Sequence, residues 1–132
     1  MRKITEIIIH CTATPEGRPV DVNTIRRWHR DRGWNDIGYH YVVMLDGTVE
    51  GGRLLQTPGA HCQGHNANSI GIAYVGGMTA DGLRPKDTRT PAQRAALRRL
   101  VADLLQRFPR ATVHGHREFA AKACPSFDIA DL

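Results

Sequence analysis

The sequence has 132 residues, of which 41% are apolar and 23% charged, and carries a formal charge of +5. That length allows one compact domain with a real core and excludes two ordinary ones, and no segment approaches the roughly 20 consecutive apolar residues of a membrane-spanning helix. Cys11, Cys62 and Cys124 are odd in number, widely spaced and without a CxxC pair, which excludes a disulfide framework and a zinc ribbon.

The basic balance favours an acidic partner: nucleic acid, an anionic surface, or an acidic polymer such as bacterial cell wall. The N-terminal stretch MRKITEIIIHCTA has two basic residues, but its apolar run is short and interrupted by Thr5 and Glu6, so it reads as a strand and not as a secretory signal. The expectation is a protein held in the cytoplasm until something releases it.

In chain order, the β-branched run at 4–11 predicts a buried strand with His10 at its C-terminal end, the end at which ligands gather in α/β sheets. A helix begins at Asp21 or Val22, places Val22, Ile25, Trp28 and His29 on one face and Arg26, Arg27 and Arg30 on the other, and ends near Gly33. YHYVVMLDGTVEGGR reads as two strands joined at Asp46-Gly47, a pair that tolerates the two positive φ angles of a tight turn. Residues 52–68 are rich in Gly, Asn and Pro and predict a surface loop, with His65 and Cys62 facing solvent.

SIGIAYVGG follows as a second buried strand and MTADGLRPKD as a turn-rich excursion. Thr90 as N-cap, Pro91 at the first helical position and Gln93 in capping-box register then launch a long helix. Its apolar stripe is Ala96, Leu97, Leu100, Val101, Leu104, Leu105 and Phe108, and ATVHGH is a final short strand. The layout is a single mixed α/β domain.

The chemistry gathers in HGHREFAAKACPSFD, from His114 to Asp128. Imidazole and thiolate are natural zinc ligands, and a catalytic zinc needs three protein ligands with one position open. His10, His116 and Cys124 form one such set; His10 with His114 and His116, which share a strand face, form another. Spacing alone leaves both open, and each residue taken singly also fits a hydrogen-bonded polar group or a small buried thiol. Arg94, Arg98 and Arg99 give the long helix a basic face, but a charged face opposite an apolar stripe is what any surface helix shows, so nucleic acid is not the expected partner.

Taken together, IIIHCTATP, GWNDIGYHYVVMLDGTVEGGR, HCQGHNANSIGIAYVGG, TPAQRAALRRL and GHREFAAKACPSFD resemble, in this order, the zinc N-acetylmuramoyl-L-alanine amidases. The resemblance spans nearly the whole chain; within the type 2 amidases it is nearest to the T-odd phage lysozymes, and more distant from the peptidoglycan recognition proteins. It implies a central mixed β-sheet flanked by α-helices, one Zn2+ per chain, and hydrolysis of the amide between N-acetylmuramic acid and L-alanine in peptidoglycan by a phage or prophage endolysin. The family ligands fall on His10, His116 and Cys124, with His114 a neighbour. The Tyr of GYH and the Lys of KACPSF imply Tyr39 and Lys122 as catalytic groups, and a loop histidine implies His61 as a substrate contact or a support of the metal ligands.

Lys122 suits a developing oxyanion, and Tyr39 suits water orientation, proton transfer or a hydrogen bond to the carbonyl, with Tyr41 a packing residue on the same face. Distant family members place a Glu as general base where this sequence has Ala73, which shifts proton transfer to Tyr39, Lys122 or the activated water. His40 and His29 are expected to serve the fold. Two other roles on this fold are a non-catalytic peptidoglycan-binding module and an inhibitor of a phage RNA polymerase. The first is disfavoured by the presence of Cys124 and Lys122. The second uses a segment ahead of the first strand, where only Met1 to Lys3 stand here.

Overall fold

In the computed structural model, which describes residues 1–132, the elements in chain order are β1 (Glu6–Cys11), β2 (Thr14–Pro15), α1 (Val22–Asp31), β3 (Tyr41–Val43), β4 (Val49–Gly51), β5 (Ser69–Tyr74), β6 (Gly77–Met78), α2 (Pro91–Arg107) and β7 (Thr112–Gly115). Ile7, Ile8 and Ile9 of β1 are all fully buried. Consecutive apolar residues are buried together only where both strand faces are covered, so β1 must be interior. It lies between β5 and β7, parallel to both, in a sheet ordered β4-β3-β5-β1-β7, with β3 parallel to β5 and β4 antiparallel at the edge. This is the mixed sheet the sequence predicts.

Helices cover the two faces. Ala96, Leu97, Val101 and Leu104 of α2 pack on Ile7, Ile9, Val43, Ile70, Ile72 and Tyr74, while Val22 and Ile25 of α1 close a smaller core with Ile37, Val42 and Val75. Asp21 caps α1 by accepting the Thr24 N–H at 2.7 Å. At α2 the capping box is complete: Thr90 Oγ1 accepts the Gln93 N–H at 3.0 Å and Gln93 Oε1 accepts the Thr90 N–H at 2.9 Å. The same two side chains tie the helix to the sheet, because Thr90 Oγ1 donates to the Leu45 carbonyl and buried Gln93 Nε2 to those of Val43 and Val75.

Three local expectations change, and one small sheet is new. The β3-β4 connection is a three-residue loop closed by Met44 N–H to Thr48 O, and only Gly47 takes a positive φ, of 86°. Asp46 instead accepts the Thr48 N–H through its carboxylate, the pattern of a type I turn with a bulge. Tyr39 and Tyr41 do not share a face: Tyr41 packs against the α2 core and Tyr39, just ahead of β3, against the α1 core. Cys62 is buried and His65 half-buried, since Asn66 Oδ1 accepts the N–H groups of both His61 and Cys62 at 3.0 Å and folds the loop inward. Finally, β2 and β6 form a small parallel sheet that no sequence signal indicated.

Candidate metal centre and groove

Two parallel strands in register place equivalent residues side by side. Ile9 of β1 pairs with Gly115 of β7 at the last step of that ladder, so the residues that follow them, His10 still in β1 and His116 just past β7, stand at the same level, with ring centroids 4.5 Å apart. The segment after β7 turns back and brings Cys124 Sγ to 3.8 Å from His10 Nδ1. The ligand atoms of His10, His116 and Cys124 all lie within 4.8 Å of one another. A tetrahedral zinc with bonds of about 2.0–2.3 Å spaces its ligand atoms by about 3.3–3.8 Å; the His10–Cys124 separation meets that spacing and the whole set lies within about 1 Å of it, and two imidazoles with one thiolate suit zinc by ligand softness.

His114 is not in this set. It pairs with Ile8, two positions earlier in the register, and its nitrogens engage Thr112 Oγ1 at 2.7 Å and Glu118 Oε1 at 2.9 Å. The all-histidine set left open by spacing is therefore not assembled.

Around the cluster, His10 Nε2 is 2.8 Å from His61 Nδ1, and His61 Nε2 is 3.1 Å from Ser69 Oγ. The Tyr39 ring is 5.2 Å from that of His10. Ala73, opposite His10 in the β1-β5 register, brings no carboxylate. An open groove of about 570 Å³ runs past His116 and is lined by Trp34, His61, Asn66, Phe119 and Lys122. Tyr39 is not on that wall; with Thr12, His29 and Arg32 it borders a separate notch of about 60 Å³. Trp34, Asn66 and Phe119 were not among the expected site residues, and the one sequence signal for Trp34 is its place in GWNDIGYH. His40 donates to the Thr57 carbonyl and accepts the Gly71 N–H, and His29 Nδ1 accepts the Gly38 N–H, so both hold the chain that delivers Tyr39.

Burial sets the protonation states. Desolvation, reinforced by His61, His116 and Lys122, pushes the His10 pKa well down, and desolvation with His40 lowers that of His61 to about 3. Both rings are neutral at pH 7, the form in which imidazole binds metal. Burial first, then the Cys124 and Cys11 thiols, raises the Tyr39 phenol, which stays protonated. The neighbouring Cys11 and burial hold the Cys124 thiol up; a divalent ion held by these residues would favour the thiolate, which the Cys11 N–H, 3.2 Å from Sγ, is placed to support.

A three-ligand set at the C-terminal ends of parallel strands, open to a groove, defines a metal-dependent hydrolase in general terms. The particular family follows from comparison with known proteins. The chain belongs to the N-acetylmuramoyl-L-alanine amidase family, whose model matches residues 1–127. It is 43% identical to the endolysin of Klebsiella phage KP32 over 97% of this chain and 84% of that protein, and 46% identical to the endolysin of Escherichia phage T7 over 93% and 81%. Among solved structures it resembles the amidase LysC of Clostridium intestinale URNW, with a TM-score of 0.83 at 27% identity over 96% of this chain and 79% of that one. Drosophila PGRP-LB matches with a TM-score of 0.80 at 25% identity, over 95% and 76%.

Proposed function

We propose that this chain is a zinc amidase that hydrolyses the bond between the lactyl group of N-acetylmuramic acid and L-alanine in peptidoglycan, serving as a phage or prophage endolysin kept in the cytoplasm until the membrane is breached. The observation that carries the reading is the complete His10, His116 and Cys124 set beside an open groove. A zinc ion held by His10, His116 and Cys124 would supply Lewis acidity for amide hydrolysis at neutral pH. Lys122, exposed on the groove wall, brings a cation to the oxyanion that develops on the carbonyl. Tyr39 Oη, kept protonated by burial, acts as a hydrogen-bond donor and not as a base. The net charge of +5 suits approach to an acidic wall polymer.

The test is dye release from purified peptidoglycan by the protein as isolated, after chelation and after zinc is restored, with product ends read by mass spectrometry. Chelator-sensitive, zinc-restored release of peptides with free L-alanine N-termini is expected. Binding without cleavage in all three states would favour a recognition module instead. Cys124→Ala should lose zinc and activity together, whereas Lys122→Ala should keep stoichiometric zinc and lose about 100- to 1,000-fold in turnover. Stoichiometric zinc in the Cys124 variant would overturn the ligand assignment.

A further inference from the structure

We infer that His61 is a positioning residue for the metal centre, clamping His10 through an imidazole-to-imidazole hydrogen bond that ends on Ser69, and that it is not a substrate contact. The inference rests on the zinc reading above and specifies how this chain orients one of its ligands.

The argument follows the ring nitrogens. His10 directs Nδ1 toward Cys124 Sγ at 3.8 Å, so Nδ1 is the nitrogen available to a metal. Its Nε2 then carries the ring proton and donates it to His61 Nδ1 at 2.8 Å. A neutral His61 that accepts at Nδ1 has its own proton at Nε2, and that nitrogen faces Ser69 Oγ at 3.1 Å. Every nitrogen of both rings is thereby committed, and His61, although on the groove wall, has none left for a ligand.

The surroundings fix the clamp. Asn66 Oδ1 accepts the backbone N–H of His61 at 3.0 Å. The ring lies flat against Gly71 of β5, where an added Cβ would come within 2.6 Å of it, so glycine leaves the space the imidazole occupies. The second nitrogen of a metal-bound histidine usually donates to a carboxylate, a carbonyl or water. An imidazole backed by a hydroxyl does the same work here without adding negative charge.

Zinc affinity tests this, measured by competition with a chromophoric chelator, together with the imidazole N–H resonance of His10 in the zinc-loaded protein. His61→Ala should weaken zinc binding by about 10- to 100-fold and expose the His10 N–H to rapid solvent exchange. His61→Asn, whose Oδ1 can replace Nδ1 as acceptor, should recover much of both. Gly71→Ala, which deletes no hydrogen-bonding atom, should weaken zinc binding by displacing the ring. Unchanged zinc affinity in His61→Ala with only a raised KM for peptidoglycan would overturn the clamp and make His61 a substrate contact. Should His61→Ala fail to fold, Ser69→Ala decides: weaker zinc binding and faster N–H exchange support the clamp, and no change in either overturns it. Wild-type protein that takes up no zinc would instead refute the zinc reading itself.

Discussion

Tyr39 shows how surroundings select one of several roles open to a residue type. A solvated tyrosine beside a metal site can give or take a proton; at Tyr39, burial with the two nearby thiols raises the phenol pKa and leaves a donor. Tyr39→Phe removes only the hydroxyl, so zinc stoichiometry should be unchanged while kcat falls about 100-fold, the scale of one positioned donor. Turnover and zinc content of the purified variant check this, and loss of zinc would mark Tyr39 as a support of the ligand loop. Gly47 is a simpler case: its φ of 86° and the Ala92 carbonyl, which a Cβ would approach to 2.8 Å, both demand glycine where the hairpin meets α2.

At the scale of elements, α2 is bound to the sheet through its first turn as much as through its apolar stripe. Thr90→Ala removes the cap of the Gln93 N–H and the bond to the Leu45 carbonyl together. It should cost about 1–2 kcal/mol, measured by urea unfolding of the chelated protein at pH 7, whereas Thr90→Ser should cost far less. The parallel β1-β7 pair has the corresponding role for the metal ligands. Two histidines so far apart in sequence become neighbours because Ile9 and Gly115 are paired, and a register slip would turn one imidazole to the wrong face.

At the scale of the whole molecule, the fold buries histidines in neutral form. Desolvation lowers the pKa of both His29 and His40 to about 4, well below the value of about 6.5 expected in an unfolded chain. The unfolded state therefore binds these protons first, so stability is complete above about pH 6.5 and is lost as pH falls toward 4. His40 alone contributes a slope of at most about 1.4 kcal/mol per pH unit, reached in the middle of that window. Urea titrations of the chelated protein at pH 7, 6 and 5 should show falling stability, and His40→Gln should flatten the decline; a pH-independent midpoint would contradict it.

The sequence by itself determined the elements whose causes are local. Three successive isoleucines predict an interior strand, Thr90, Pro91 and Gln93 start α2, and motif order carries the family. Only the tertiary structure decided what depends on residues distant along the chain. It brought His10, His116 and Cys124 together and, through sheet register, turned the His114 nitrogens to Thr112 and Glu118, which spacing had left open; it also placed Tyr39 and Tyr41 on opposite sides of the sheet, drew Cys62 inward through Asn66, and joined His10 to Ser69 through His61. Caps and periodicity act over a few residues and can be read in order along the chain. Hydrogen bonds between loops and parallel strands depend on register and burial, which exist only once the chain has folded.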